Sequence, residues 1–167
     1  MNSRAPILHA MTHLGLAMSE ISKPLQVYIV EDSTIIRRLL VSTIEAAGAE
    51  LAGSSAGAPS AIADLAVLRP DLILIDISLS SGNGFDVLRA LQEGGLVPAA
   101  IKVVLTNHAS AEYENLSLRL GANRFFDKSS ETSQVLALIN VLAAERLRGG
   151  SQPRGYRHDP GNHSSQN

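Results

Sequence analysis

Residues 72–88 read LILIDISLSSGNGFDVL. The four aliphatics Leu72–Ile75 show no polar alternation, which suits a strand covered on both faces of a parallel sheet. The run stops at a carboxylate, Asp76, and an amphipathic stretch follows at Phe85–Glu93, ahead of Gly94-Gly95. An apolar run, a polar end and a helix is the order that recurs to either side.

Toward the N-terminus, Val27–Val30 (VYIV) gives a first strand and Glu50–Ser54 a weaker second. Toward the C-terminus, Ile101–Leu105 gives a fourth and Arg124–Phe126 a short fifth. Helices are expected between them. Thr34–Ala47 sets Ile36, Leu39, Leu40, Thr43 and Ala47 on one face, with Gly48 as its stop. Pro59–Leu68 begins on a proline and ends before Arg69-Pro70. Ser110–Leu120 ends at Gly121, and Glu131–Arg148 ends with Arg146 and Arg148 where cations favour the helix dipole. Strand and helix alternating with short links predict an α/β fold, with right-handed crossovers and helices on both faces of a parallel sheet.

Composition sets the outer bounds. A chain of 167 residues, 45% hydrophobic and 18% charged, suits one domain with a real core. The absence of cysteine excludes disulfides, thiolate metal sites and a cysteine nucleophile. A net charge of −2 gives no reason to expect bulk electrostatic binding of nucleic acid. The strand-and-helix zone, 25–148, holds 10 basic and 14 acidic residues. Residues 1–24 lack strong periodicity and form an N-terminal extension of undefined order. Their stretch Ile7–Met18 is broken by His9, Thr12 and His13, so it reads as neither a signal peptide nor a membrane span. His9 and His13 share helical spacing but lack a third ligand. Residues 149–167 hold Gly, Pro, Ser and Asn with almost no aliphatics, and are expected to be a disordered polar tail. The chain is expected to be soluble and cytoplasmic.

Polar residues close the strands. Glu31-Asp32 follow the first, Asp76 the third, Thr106 the fourth, and Lys128 lies just past the fifth. In a parallel sheet these ends share one rim, where chemistry is expected. Each alone is an ordinary turn, strand or surface residue; their register is the signal. Three carboxylates repel unless a cation joins them, and oxygen-only ligands favour a hard ion such as Mg²⁺. A lysine and a hydroxyl added to that set suit a phosphoryl dianion. Asp76, on a central strand, is the best-placed carboxylate nucleophile.

The pieces VYIVEDSTIIRRLL, LILIDISLSSGNGFDVL, VVLTNHAS and GANRFFDKS, in this order, resemble the receiver domain of two-component response regulators. The successive intervals Asp32 to Asp76, Asp76 to Thr106 and Thr106 to Lys128 are 44, 30 and 22 residues and match the family's spacing, and the resemblance covers residues 25–148. It implies a flavodoxin-like (βα)5 doubly wound sheet of strand order 2-1-3-4-5. It also implies roles. Asp76 would accept a phosphoryl group from a histidine kinase or histidine phosphotransfer protein. Glu31, Asp32, Asp76 and the backbone carbonyl of Ser78 would hold Mg²⁺ or Mn²⁺. Lys128 would contact the phosphoryl oxygens. Thr106 and Phe125 would switch the surface of the fourth helix, fifth strand and fifth helix. Ser78 and His108 would tune dephosphorylation.

The sequence departs from the family at Ser80 and Ser129, where proline is common, and at Asn107, which is larger than usual and is expected to narrow access to the phosphoryl group. Only 39 residues follow Lys128, so the expectation is a single-domain regulator, not an enzyme beyond its own phosphorylation and dephosphorylation. It would signal to a downstream protein partner, without direct nucleic acid or membrane contact, and with a homodimer left open. The alternatives are a relay intermediate and a phosphorylation-independent docking module. A haloacid dehalogenase-like hydrolase is disfavoured, because Ser78 stands where its second Asp belongs.

Overall fold

The computed structural model describes residues 23–148. The expectations for 1–22 and 149–167 fall outside the described residues. Five strands, β1 (Gln26–Val30), β2 (Glu50–Ser55), β3 (Leu72–Asp76), β4 (Ile101–Thr106) and β5 (Arg124–Asp127), form one sheet of order β2-β1-β3-β4-β5. All its pairings are parallel. The helices α1 (Thr34–Ala46), α2 (Ala58–Val67), α3 (Gly84–Glu93), α4 (Ala111–Arg119) and α5 (Thr132–Leu147) alternate with them. This is the flavodoxin-like arrangement expected, with element ends moved by no more than one residue.

Strand alternation divides the core in two. Tyr28, Val30, Ile73, Ile75 and Val104 face the side covered by α2, α3 and α4. Val27, Ile29, Leu72, Leu74, Val103 and Leu105 face α1 and α5. The aliphatic runs of β1 and β3 carry no polar alternation because both faces are buried.

Three helix starts, those of α1, α3 and α4, are capped by side chains that accept from first-turn amides. Ser33 accepts from Ile36, Ser110 from Tyr113, and Asn83 from Asp86. At α3 the Asp86 carboxylate also accepts from the Asn83 amide, completing a reciprocal cap. Gly84 has a steric reason. A Cβ there would overlap the Asp76 carbonyl oxygen, so only glycine lets α3 start this close to the end of β3.

One helix face differs from the expectation. On α1 the fully buried residues are Leu40 and Ile44, while Leu39 is 54% exposed. The buried stripe is centred on the 36–40–44 row, one step round the helix. The cause is that the α1–α5 groove is left open beside Leu39.

A second feature was not anticipated. Tyr28 is fully buried on β1, and its hydroxyl donates to Asp64 Oδ2 of α2 at 2.6 Å and lies 2.6 Å from Ser55 Oγ. Gly53 on β2 makes room, since a Cβ there would approach the ring to 2.9 Å. The β1–β2 register shifts at this point. Burial first, then the bond to Asp64, pushes the phenol well above its usual range. The neutral phenol is therefore favoured in the fold, and its contribution holds below the unfolded value of 10.0 and fades as pH rises beyond it. Tyr28→Phe is predicted to cost about 1–2 kcal/mol at pH 7. The deficit should narrow above about pH 10. Urea unfolding of both proteins at pH 7 and pH 10.5 measures this, and an equal deficit at both would contradict it.

Candidate functional site

Every strand but β2 delivers a predicted site residue to the carboxyl rim. β1 hands over to Glu31 and Asp32, β3 ends on Asp76, β4 ends on Thr106, and β5 hands over to Lys128. One carboxylate oxygen each from Glu31, Asp32 and Asp76 lies within 4.8 Å of the others. Glu31 and Asp76 are buried, and Asp32 is exposed.

The Lys128 Nζ reaches into this cluster and donates to Glu31 Oε2 and to Asp76 Oδ2, both at 2.6 Å. The other oxygens of the same carboxylates are held by backbone amides. Ser33 donates to Glu31 Oε1 at 3.0 Å, and Ser78 donates to Asp76 Oδ1 at 3.1 Å. Both buried carboxylates are thus engaged at both oxygens. Burial pushes the Glu31 carboxyl above its usual range, and the Lys128 bond and charge pull against that.

The donor set fits a hard divalent cation. Three carboxylates from two strand ends converge, all donors are oxygens, and Asp32 faces solvent so that water can complete the coordination. Glu31, Asp32 and Asp76 are the residues that would hold such an ion, together with the Ser78 carbonyl two residues beyond Asp76.

Thr106 is fully buried, and its hydroxyl accepts from the His108 amide at 3.2 Å. His108 Nδ1 lies 3.5 Å from Ser78 Oγ, so the two expected tuning residues meet across the rim. Phe125 and Phe126 are half-buried on opposite faces of the sheet. Phe125 lines a cleft with Ser110, Glu114 and Glu131 at the α4–β5–α5 edge. Asn107 lines the α1–α5 groove beside Lys128. The Lys128–Ser129 peptide is trans, and the Ser129 amide and hydroxyl both donate to Asp127 Oδ1, at 2.8 and 2.6 Å.

Sequence reasoning missed Arg37. It is half-buried, and its Nη1 donates to the Glu31 carbonyl at 2.7 Å. Its place on the first turns of the helix that follows the acidic pair was the only available signal.

The described residues thus form a parallel α/β sheet whose carboxyl rim carries an acidic cluster and a lysine. The response regulator receiver domain family matches residues 27–140, and the chain belongs to it. The chain is 27% identical over 118 residues to the chemotaxis protein CheY of Thermotoga maritima, covering 71% of this chain and 97% of that protein. It is 28% identical over 115 residues to the KDP operon transcriptional regulatory protein KdpE of Escherichia coli, covering 69% of this chain and 49% of that protein. It is 30% identical over 134 residues to a protein-glutamate methylesterase/protein-glutamine glutaminase of Vibrio vulnificus, covering 78% of this chain and 38% of that protein. Among solved structures, the response regulator domain of Thermotoga maritima CheB superposes with a TM-score of 0.62 at 21% identity, over 75% of this chain and 98% of that one. The receiver domain of a sensor histidine kinase from Pseudomonas aeruginosa, with a magnesium ion coordinated in its active site cleft, gives 0.63 at 17% identity, over 72% and 98%. At these identities the two structures speak for the fold alone. The chain is a receiver domain of the two-component response regulator class, a signalling module.

Removing the ammonium would leave two buried carboxylates facing each other. Lys128→Met is predicted to lower stability by about 3 kcal/mol without divalent cation. Mg²⁺ should restore part of that loss, because it too neutralises the pair. Urea unfolding with and without MgCl2 tests both statements, and a variant as stable as wild type in metal-free buffer would refute the first.

Proposed function

We propose that this chain is a Mg²⁺-dependent phosphoacceptor switch, in which Asp76 takes a phosphoryl group from a phosphohistidine. The observation that carries the reading is the Lys128 ammonium seated between Asp76 and Glu31, with Asp32 completing an acidic cluster open to solvent. In the transfer, an Asp76 carboxylate oxygen bonds to phosphorus as the donor's P–N bond breaks. The nitrogen keeps the electron pair and takes up a proton. A bound Mg²⁺ would screen the phosphoryl oxygens against the carboxylates. Lys128 already touches Asp76 and would move its donors onto the transferred group.

Thr106 supplies the readout. Its hydroxyl is bonded to the His108 amide at the start of the β4–α4 loop. Turning that hydroxyl toward a phosphoryl oxygen gives up this bond and releases the loop leading into α4. Phe125, in the adjoining cleft, would follow, and the α4–β5–α5 face would change shape. Phosphorylation is then a charge change that biases a two-state surface read by a downstream protein. Ser78 and His108, in contact across the rim, would set access of water to the acyl phosphate.

The donor's docking surface is read from α1. Ile35 is 82% and Leu39 54% exposed, and Leu39 lines a groove with Ile36, Leu40, Val135 and Lys128. That groove runs to the lysine at the acidic site, so it suits an apolar helix of a histidine kinase or histidine phosphotransfer protein. A donor charged from ATP places the reading in the cytoplasm. No helix among the described residues is long and apolar enough to cross a membrane. On this reading residues 25–148 are the receiver unit, and the chemistry is confined to the chain's own Asp76.

Incubation with acetyl phosphate and Mg²⁺ is predicted to add about 80 Da, one phosphoryl group, to the wild-type chain. Asp76→Asn should gain none, and EDTA should abolish the addition. Intact-protein mass spectrometry reads all three. Addition to Asp76→Asn equal to that of wild type would remove Asp76 from the proposed role.

A further inference from the structure

Three residues, Glu31, Asp32 and Ser33, join β1 to α1. Two of them are consecutive carboxylates, and consecutive side chains along an extended chain point apart. Here both bring an oxygen within 4.8 Å of the other and of Asp76. The link must therefore bend in one particular way. The peptide plane between Glu31 and Asp32 decides that bend, because it sets the direction in which the Asp32 Cα leaves Glu31.

Arg37 holds this plane. Its Nη1 donates to the Glu31 carbonyl at 2.7 Å, from a half-buried position six residues along the chain. The Glu31 amide is held from the other side, donating to the Ser55 carbonyl at 2.9 Å. Arg38, its neighbour, is exposed. The ion pairs among the described residues involve Lys128, Arg89 and Arg146, so Arg37 carries its charge beside the acidic cluster without a carboxylate partner.

We propose that Arg37 is a positioning residue for the divalent-cation site, acting through the Glu31 carbonyl to hold the β1–α1 turn in its ligand-presenting shape. The proposal rests on the reading of Glu31, Asp32 and Asp76 as cation ligands. Its physical content lies in a sign. A guanidinium near a cation site repels the incoming ion, so charge alone makes Arg37 unfavourable for Mg²⁺ binding. A hydrogen bond that fixes the turn makes it favourable. Removing the side chain's donors separates the two.

The test uses the full chain with Arg37→Met, which keeps the buried stem without donors, and Arg37→Lys, which keeps charge and one flexible donor group. Mg²⁺ is titrated by calorimetry, the metal-free melting temperature is recorded, and backbone amides are followed by NMR. The expected order of Mg²⁺ affinity is wild type, then Lys, then Met, with Met about tenfold weaker than wild type. The metal-free Met variant should melt near wild type. The Asp32 amide should shift more than its neighbours, since its nitrogen shares the peptide bond with the Glu31 carbonyl. Equal or tighter Mg²⁺ binding by Arg37→Met overturns the proposal, the tighter case being the outcome for charge alone. Loss of the fold in Arg37→Met also overturns it, because the bond would then be structural. A wild-type chain that binds no Mg²⁺ overturns the cation-site reading itself, a result distinct from a wild type that binds and a variant that matches it.

Discussion

The site turns on a single ammonium shared by two buried carboxylates. Lys128, Glu31 and Asp76 have side chains no more than 9% exposed, and both contacts are 2.6 Å. Removing three such groups from water carries a desolvation penalty that their attraction offsets only when the geometry is good and the remaining lone pairs are bonded. The structure meets both conditions, with the Ser33 and Ser78 amides on the outer oxygens. The arrangement joins three distant parts of the chain, with Lys128 reaching 97 residues back to Glu31 and 52 back to Asp76. One carboxylate with the lysine would be a closed ion pair. Two, with a third exposed beside them, leave net negative charge at the rim, and that excess is what gives a divalent cation a reason to bind.

This convergence depends on the sheet. Parallel pairing points every carboxyl end the same way, and the order β2-β1-β3-β4-β5 puts β3 between β1 and β4. Asp76 therefore lies beside Glu31 on one flank and near Thr106 on the other. The close start of α3 over Asp76, which Gly84 permits, shapes the backbone beside that carboxylate. Tyr28 serves the same end from below. It ties β1 to Ser55 and to α2, and the Ser55 carbonyl in turn receives the Glu31 amide. Positions far from any chemistry thus hold the strand that presents the acidic pair.

The fold and the acidic rim were legible in the sequence because both arise from strong local signals. β1 and β3 are aliphatic runs that end at carboxylates, and a run of that kind has few other readings. The face of α1 was less legible. Leu39 and Ile44 are equally apolar, so periodicity alone could not decide which row faces the sheet, and the groove beside α5 left Leu39 outside. Tyr28 read as one more apolar strand residue, since its hydroxyl finds partners 27 and 36 residues away. Arg37 carried no legible signal because its acceptor is a backbone carbonyl, which no sequence pattern marks. In each case the missing information was a tertiary contact.

The helices differ in how firmly they are held, and the difference bears on switching. α3 buries Gly84, Val87, Leu88 and Leu91, and α5 buries Val135, Ile139 and Ala143. α4 fully buries one residue, Ser117, whose hydroxyl is spent on the Tyr113 carbonyl of its own helix. It is tied to α3 by an edge-to-face contact between Phe85 and Tyr113, with ring centres 5.2 Å apart, and by Gln92 donating to the Arg119 carbonyl at 3.2 Å. An aromatic pair of this kind contributes about 1 kcal/mol beyond its buried area. A solvent-facing side-chain bond to a carbonyl adds about as much. The loop leading into α4 begins at His108, whose amide is bonded to the Thr106 hydroxyl. In the proposed switch, the element next to the phosphoacceptor rim is thus the one with the least apolar burial opposing its movement. A shift of one hydroxyl and one charge involves energies of the same order as the contacts that keep α4 in place. The firmly packed sheet, α3 and α5 can then stay fixed while the surface at their edge changes.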